Sequence, residues 1–377
     1  MTEKALVLSF SDLRIDARVN RQIDFLLKLK KEVTVIAFNP PKTTIKTFIP
    51  ISPPSRSFFN KVKMFFYLIF RKYEKIYFEK PEIKEILSFN LNNFDLVIAN
   101  DIETLPIALK IKKNAILLFD AHEYAPKQFE SNFYWKLTRQ AFKSYLSKKY
   151  IKEAHRVTTV SEPIARQYQE FCSIKKPTVI TNAPGFRNLA PSKVNSQKIR
   201  LVHHGFCDQT RKIEDMISLF FLLEDRFALD FFLLSNNKKY LDKLKRLASK
   251  NNRIRFLEPV PFSKLPEALN SYDIGLYLQP KSSFNALNSL PNKFFDFIQA
   301  RLALAISPSL QMAELIRKYK NGRVSLDFSK ESFAKMLNDL KVEEIEDMKN
   351  NSNLAAKELS ELNNFKIMKE LLAENGS

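Results

Sequence analysis

The sequence predicts an α/β protein of two domains, each a parallel sheet covered by helices on both faces. Three observations predict it. Apolar runs of strand length alternate with helical patterns; the alternation stops across residues 182–198 and then restarts; and polar, chemistry-bearing residues gather where the apolar runs end.

In chain order, ALVLSF (5–10) and EVTVIAF (32–38) flank a helical pattern from Arg18 to Lys30, which makes a βαβ unit. Further strands are expected at 95–99, 115–119, 156–160 and 178–180. Residues 182–198, NAPGFRNLAPSKVNSQK, lose periodicity and collect Pro, Gly, Asn and Ser. The first domain is therefore set at 1–186 and a linker at 187–198. A second domain, 199–350, follows with strands at 199–203, 229–234, 253–257, 273–278 and 302–306. The remainder, 351–377, is charged and helical and is expected to pack back across the domains. Two open sheets of this kind bind ligands at the carboxyl ends of their strands, which places the site in a central cleft.

The chain has 377 residues, 45% of them hydrophobic, so a sizeable core is available. Net charge is +20 and uneven: residues 1–190 hold 32 Lys and Arg against 18 Asp and Glu, the rest 29 against 23. This balance favours anionic partners. No apolar run approaches the roughly 20 residues of a membrane span, and MTEKALVLSF lacks the layout of a signal peptide. The expected location is cytoplasmic, with peripheral attachment to the inner face of the membrane as an option. Cys172 and Cys207 have no paired spacing, so neither a disulfide framework nor a zinc site is expected.

Residues 56–80, RSFFNKVKMFFYLIFRKYEKIYFEK, break the alternation, with cations interleaved among aromatics. An interfacial helix on an anionic membrane and a buried helix with a basic edge both fit that pattern. Base stacking with phosphate contacts is a third option, but no nucleic-acid motif accompanies it, so nucleic acid is not expected as a partner.

The stretch Asn288 to Ala300, NSLPNKFFDFIQA, fits a helix with Pro291 in its first turn. Its free N–H groups would face an anion, with Lys293 and Asp296 on one side of the helix. A diphosphate beside a ribose has that chemistry. His203-His204-Gly205 closes the first strand of the second half, and Arg211 follows where a helix is expected to begin, a place for a bidentate contact to a diphosphate. In the first half, His122 and Glu123 follow AILLF directly and should emerge at a carboxyl strand end. Asp16 and Arg18 follow the first strand and are candidates for acceptor contact, with helix capping the competing role for Asp16. His155 precedes a strand and is read as structural. Only five glycines occur, so Gly185, Gly205, Gly275 and Gly322 are expected to meet backbone needs. Phosphate-loop, zinc-protease, nucleophile-elbow and dinucleotide fingerprints are all missing, which removes support for hydrolase, NTPase and nicotinamide-dependent readings.

Taken together, SDLRIDARVNRQIDFLLKLKKEVTVIAF, FDAHEYAP, VTTVSEPIARQY with VITNAP, VHHGFCDQTRKIEDMI, and SYDIGLYLQP followed by SLPNKFFDFIQARLALAIS and NGRV resemble family-4 glycosyltransferases of the GT-B fold, particularly bacterial enzymes of surface polysaccharide synthesis. The resemblance implies two Rossmann-like domains and a retaining transfer from a nucleoside-diphosphate sugar to a glycan or lipid-linked acceptor. It implies no metal and no cofactor beyond the donor co-substrate. The donor would be held by Gly205, Arg211, Asn288, Ser289, Leu290, Pro291, Asn292, Lys293 and Asp296. Catalysis would rest on His122, Arg211 and Lys293, with Asp16, Arg18 and Glu123 on the acceptor side. Asp296 stands where the family has a ribose-binding glutamate, and Asn288 where it has a second glutamate eight positions earlier. Ala300-Arg301-Leu302-Ala303 replaces the family's Ala-Gly-x-Pro. Donor preference is expected to be decided at Asn288 and Asp296. A sugar-nucleotide epimerase of the same fold and a non-catalytic membrane-associated scaffold are the alternatives from other classes.

Overall fold

The structure, a computed structural model, describes residues 2–53, 67–68 and 70–373. Residues 56–66 and 69 of the basic aromatic segment 56–80 lie outside the described residues; in the remainder a helix spans Tyr73–Phe78. The chain divides into two compact units. Unit 1 is Met1–Thr181 with Ser283–Asn285 and the stretch from Ile367; unit 2 is Asn182–Ser282 with Ala286–Lys366.

Unit 1 holds β1 (Lys4–Ser9), β2 (Glu32–Ala37), β3 (Thr47–Pro50), β4 (Leu96–Asn100), β5 (Ile116–Ala121), β6 (Arg156–Thr159) and β7 (Thr178–Val179). They form one sheet in the order β3-β2-β1-β4-β5-β6-β7, parallel throughout. Unit 2 holds β8 (Ile199–Phe206), β9 (Phe227–Leu234), β10 (Ile254–Leu257), β11 (Ile274–Tyr277), β12 (Ala303–Ile306) and β13 (Gly322–Val324). Its order is β10-β9-β8-β11-β12-β13, again all parallel. The α/β expectation of two parallel-sheet domains is met. Two strands went unforeseen, β3 and β13, because TFIP and GRV are short edge strands without a distinct apolar run.

Both faces of the unit 2 sheet are covered, and alternation along a strand explains how. Leu201 of β8 and Ala303 and Ala305 of β12 join one core; Val202, Leu304 and Ile306 join the other. Strand order reverses between β1 and β4 in unit 1 and between β8 and β11 in unit 2. Those are the switch points where crevices open at the carboxyl rim.

Gly275 shows why one of the scarce glycines is kept. A Cβ there would fall 2.3 Å from the ring of the fully buried Phe297, so β11 and the helix Asn292–Gln299 approach too closely for any side chain.

Arg301 occupies the position just past that same helix with φ of +63°, a conformation that favours glycine. Its guanidinium compensates. It donates to the helix-end carbonyls of Ile298 (3.2 Å) and Gln299 (2.7 Å), to Asn353 Oδ1 (2.7 Å) and to the Arg187 carbonyl. The departure from Ala-Gly-x-Pro is thus a side chain that caps the helix which a glycine would otherwise terminate. The C-terminal charged region forms two helices, Val342–Ala355 and Glu361–Ala373, where a single run was expected.

Candidate functional site

Unit 1 builds a charged cluster at its switch point. β5 ends on Asp120-Ala121, and Asp120, 2% exposed, accepts from Arg18 Nε (2.9 Å), Arg18 Nη2 (2.7 Å) and Thr158 Oγ1 (2.7 Å). The third arm of the guanidinium, Nη1, donates to the Ile180 carbonyl at 2.7 Å. Burial pushes the Asp120 carboxyl up, but the Arg18 charge and the His122 contact outweigh it and hold it well below the carboxylate range.

His122, one residue past β5, meets an acceptor at each ring nitrogen. Nε2 donates to Asn100 Oδ1 at 3.0 Å and lies 3.4 Å from Asp120 Oδ2; Nδ1 lies 3.4 Å from Asp101 Oδ2. Asn100 can only accept there, since its amide nitrogen already donates to Gln22 Oε1 at 2.9 Å. Burial alone would lower the His122 pKa, but Asp101 and Asp120 overcome it and raise it to about 9. The ring is an imidazolium at neutral pH.

Asp101 and Asn100 are the residues that sequence reasoning missed. Asp101 follows β4 directly and takes a φ of +64°, tolerable for Asp, which turns its carboxylate onto both the backbone N–H of His122 (3.0 Å) and its ring. Their placement just past an apolar run, LVIA, is the same signal that singled out His122. Glu123 accepts from Gln128, and burial followed by the Asp101 charge raises its pKa to about 7.

Asp16 and Arg18, expected on the acceptor side, make contacts within unit 1. Asp16 caps the helix Ala17–Lys28, accepting from the backbone N–H groups of Arg18 and Val19, and takes a hydrogen bond from Ser11 Oγ at 2.7 Å. Arg18 is 9% exposed, with its guanidinium turned inward on Asp120. His155 Nδ1 accepts from Leu117 N–H at 2.8 Å and pins the opposite rim of the sheet.

Unit 2 assembles a cluster of basic side chains at the carboxyl rim of β8 and β11. After β11 comes a short helix, Phe284–Asn288, and the next helix starts at Asn292, one residue later than expected, with Pro291 as its extended N-cap (ψ 150°) and no side-chain cap. A helix joining two parallel strands begins at their carboxyl rim, so its first N–H groups face the crevice there. Lys293, 4% exposed, donates to His203 Nε2 at 3.2 Å and sits 4.8 Å over the Tyr277 ring. Nδ1 of His203 donates to the Leu276 carbonyl at 2.8 Å, which fixes the tautomer. Gly205, at φ +119°, ends 3.6 Å short of Lys293 Nζ, measured from where a Cβ would be. That is an ordinary contact distance, so its backbone need is conformational.

Burial drives the Lys293 pKa well below that of an ordinary lysine, and the charge of Arg211 adds to this; Asp296 opposes both. Burial likewise lowers His203, and it lowers His204 to about 3, with Lys293 and Arg211 contributing. Because His204 is neutral, its 3.5 Å approach to the buried Asp296 is not an ion pair. Arg211 itself is exposed, in a 3-10 turn (Gln209–Arg211); the α-helix begins only at Ile213, behind a left-handed Lys212 (φ 45°). Asn288 and Leu290 are buried and Ser289 half-buried ahead of the helix. A desolvated lysine, an arginine and an open helix N-terminus converge here, an arrangement suited to a multiply charged anion.

Residues 18–183 match the family profile described as Glycosyltransferase Family 4. No curated protein sequence matches the chain. The fold is GT-B. HepE from Anabaena, in complex with UDP, superposes with a TM-score of 0.73 at 13% identity, covering 99% of this chain and 100% of HepE. Sucrose-phosphate synthase from Thermosynechococcus elongatus gives 0.71 at 11% identity over 98% of both chains. WaaG, a glycosyltransferase involved in lipopolysaccharide biosynthesis, gives 0.61 at 13% identity, covering 99% of this chain and 100% of WaaG. The GT-B chain is thus similar to glycosyltransferases in sequence over much of unit 1 and in fold over nearly its whole length. Among the described residues no group of three or more His, Cys, Asp or Glu side chains is placed to hold a metal ion, and no helix is long and apolar enough to cross a membrane.

Proposed function

We propose that this GT-B protein is a metal-independent, retaining glycosyltransferase. It moves a sugar from a nucleoside-diphosphate sugar to a glycan or lipid-linked acceptor in bacterial surface polysaccharide synthesis, at the inner face of the cytoplasmic membrane. The observation that carries the reading is the rim cluster of unit 2, where Lys293 is buried within the electrostatic reach of Arg211 on the helix that starts at Asn292, a set of donors that a diphosphate would recruit by drawing Lys293 to its charged form. The relative HepE was solved with UDP and with UDP-glucose, which supports a nucleotide sugar as donor.

In this reading the acceptor oxygen bonds to the anomeric carbon as the bond from that carbon to the phosphate oxygen breaks. The electron pair leaves with the nucleoside diphosphate, which also takes up the acceptor's hydroxyl proton. Arg211, Lys293 and the helix N–H groups stabilise the departing charge. Asp296 and Asn288 choose the donor, and the imidazolium of His122 serves the reaction centre from unit 1, with Glu123 on the acceptor side.

Calorimetry with a panel of nucleoside diphosphates and nucleotide sugars tests the site. One of them binds, and Arg211→Ala and Lys293→Ala each weaken it at least tenfold; no binding by any, or binding untouched by both substitutions, overturns the assignment. Incubation with candidate donors and a lipid-linked acceptor extract, read by mass spectrometry, then separates transfer from epimerisation or a non-catalytic role. Turnover unchanged by EDTA and retention of the anomeric configuration in the product are the outcomes required by the finer claims.

A further inference from the structure

The helical run from Phe133 to Tyr150 does not keep one face throughout. It opens with Phe133–Trp135, widens into a π-helical turn over Lys136–Gln140, and continues as Ala141–Tyr150. A π-turn offsets the side chains on its two sides, and such turns are concentrated at functional positions. The outcome here is an outward apolar tip. Phe133 is 80% exposed, Tyr134 72% and Leu137 74%, with Phe129 beside them at 56%, while Trp135 and Thr138 point inward. Single exposed apolar residues are ordinary, but four large ones within nine residues make a contiguous patch.

The charge next to this patch is mostly basic. Lys127, Lys136 and Arg139 flank it in sequence against one acidic residue, Glu130, and Lys136 stands exposed between Tyr134 and Leu137. Farther along the run Lys143 is buried against Glu103 and Lys149 pairs with Glu74. The run connects β5 to the parallel β6, so its first turn lies at the carboxyl rim of the sheet, the rim from which His122 emerges.

We propose that the Phe129, Phe133, Tyr134 and Leu137 tip is a docking surface of unit 1 for an anionic lipid bilayer. Charge complementarity selects the occupant: an apolar tip with the exposed Lys136 in its midst and Lys127 and Arg139 on either side in sequence enters the headgroup region, its aromatics at the acyl boundary and Lys136 against anionic headgroups. This inference rests on the membrane location in the proposed function and names the surface that performs it.

Trp135 is the single tryptophan of the chain, packed edge-on against Phe129 at 6.1 Å, and therefore a built-in reporter of this tip. The test uses the full chain with vesicles of phosphatidylcholine alone or mixed with phosphatidylglycerol, with and without brominated acyl chains. Sedimentation with the anionic vesicles, quenching of Trp135 by brominated chains, and at least tenfold weaker partitioning of the Phe133→Ser/Leu137→Ser double variant are expected. Lys136→Glu should weaken anionic binding further and leave binding to neutral vesicles unchanged. Undiminished partitioning of the double variant, equal binding to neutral and anionic vesicles, or sedimentation without Trp135 quenching would each overturn the proposal. So would a concentration-dependent dimer abolished by the same substitutions, which would make a second copy the occupant. UDP calorimetry run on the double variant separates this outcome from a failure of the donor site, since the substituted side chains are exposed and lie in unit 1.

Discussion

Lys293 donates to Nε2 of His203 across 3.2 Å, and the imidazole can accept because its other nitrogen is committed to the Leu276 carbonyl. One buried histidine thereby fixes the direction of one buried lysine. His203→Phe keeps an aromatic ring beside Tyr277 but removes the acceptor. Its expected effect is a fall in nucleoside-diphosphate affinity of about tenfold, the scale of one hydrogen bond to a charged group. Calorimetry on the variant beside Lys293→Ala checks it.

Proton linkage follows from the same pair. Burial and Arg211 depress Lys293 in the free protein, whereas a bound diphosphate favours its charged form. Above the depressed pKa, binding must take up a proton, and affinity must fall as pH rises. Calorimetry in two buffers of different ionisation enthalpy should give heats that differ by the proton taken up; equal heats would contradict the linkage.

The His122 imidazolium is expected to titrate near 9 against an ordinary value of 6.5. With the folded pKa raised, its contribution to stability is complete below about 6.5 and is lost as pH rises through 9. Histidine ring resonances recorded from pH 5 to 10 test this directly, because burial holds His203 and His204 low. Asp101→Asn removes the first favourable charge and should lower the His122 midpoint by at least one unit.

Arg18→Met strips the buried Asp120 of its bidentate partner and leaves it only the weaker His122, Thr158 and Gln22 contacts, a change expected to cost about 3 kcal/mol, the low end for breaking a buried ion pair. Urea unfolding at pH 7 measures the loss. Asp120 has a depressed folded pKa, so its contribution is present above the ordinary carboxylate range and is lost as pH falls toward the folded value. The gap between wild type and variant should therefore narrow as the solution is acidified.

At Arg301 the left-handed backbone and the carbonyl clamp separate by substitution. Arg301→Ala loses the hydrogen bonds and keeps the strain; Arg301→Gly loses the bonds but relieves the strain of roughly 1 kcal/mol. Thermal unfolding should rank wild type above Arg301→Gly, and Arg301→Gly above Arg301→Ala. At Gly275, an added methyl meets the Phe297 ring, and Gly275→Ala should cost about 1–3 kcal/mol by overpacking.

Much of this was legible in the residues. AILLF and DIGLYL announce strands because continuous apolar runs suit sheets buried on both faces, and the positions just after such runs locate a rim. The positions of His122 and Lys293 at a rim, and a helix start at Pro291 that the structure moves by one residue to Asn292, were reached on that logic. Asp101 was not, since nothing in DLVIANDIE states that Asp101 will turn to a positive φ and reach a histidine 21 residues later. The contacts that Asp16 and Arg18 make within unit 1 were not legible for a related reason. A polar residue after a strand faces either the crevice or the next helix, and only the distance to Asp120 decides for Arg18.

By itself the sequence determined the alternation of elements, the parallel sheets, the rims and the basic character of unit 1, because these depend on local periodicity and composition. Tertiary structure decided which charges meet: Arg18 with Asp120, His122 between Asp101 and Asp120, Lys293 on His203. Those pairings join residues up to 102 positions apart, and their electrostatics depend on burial that no local pattern encodes.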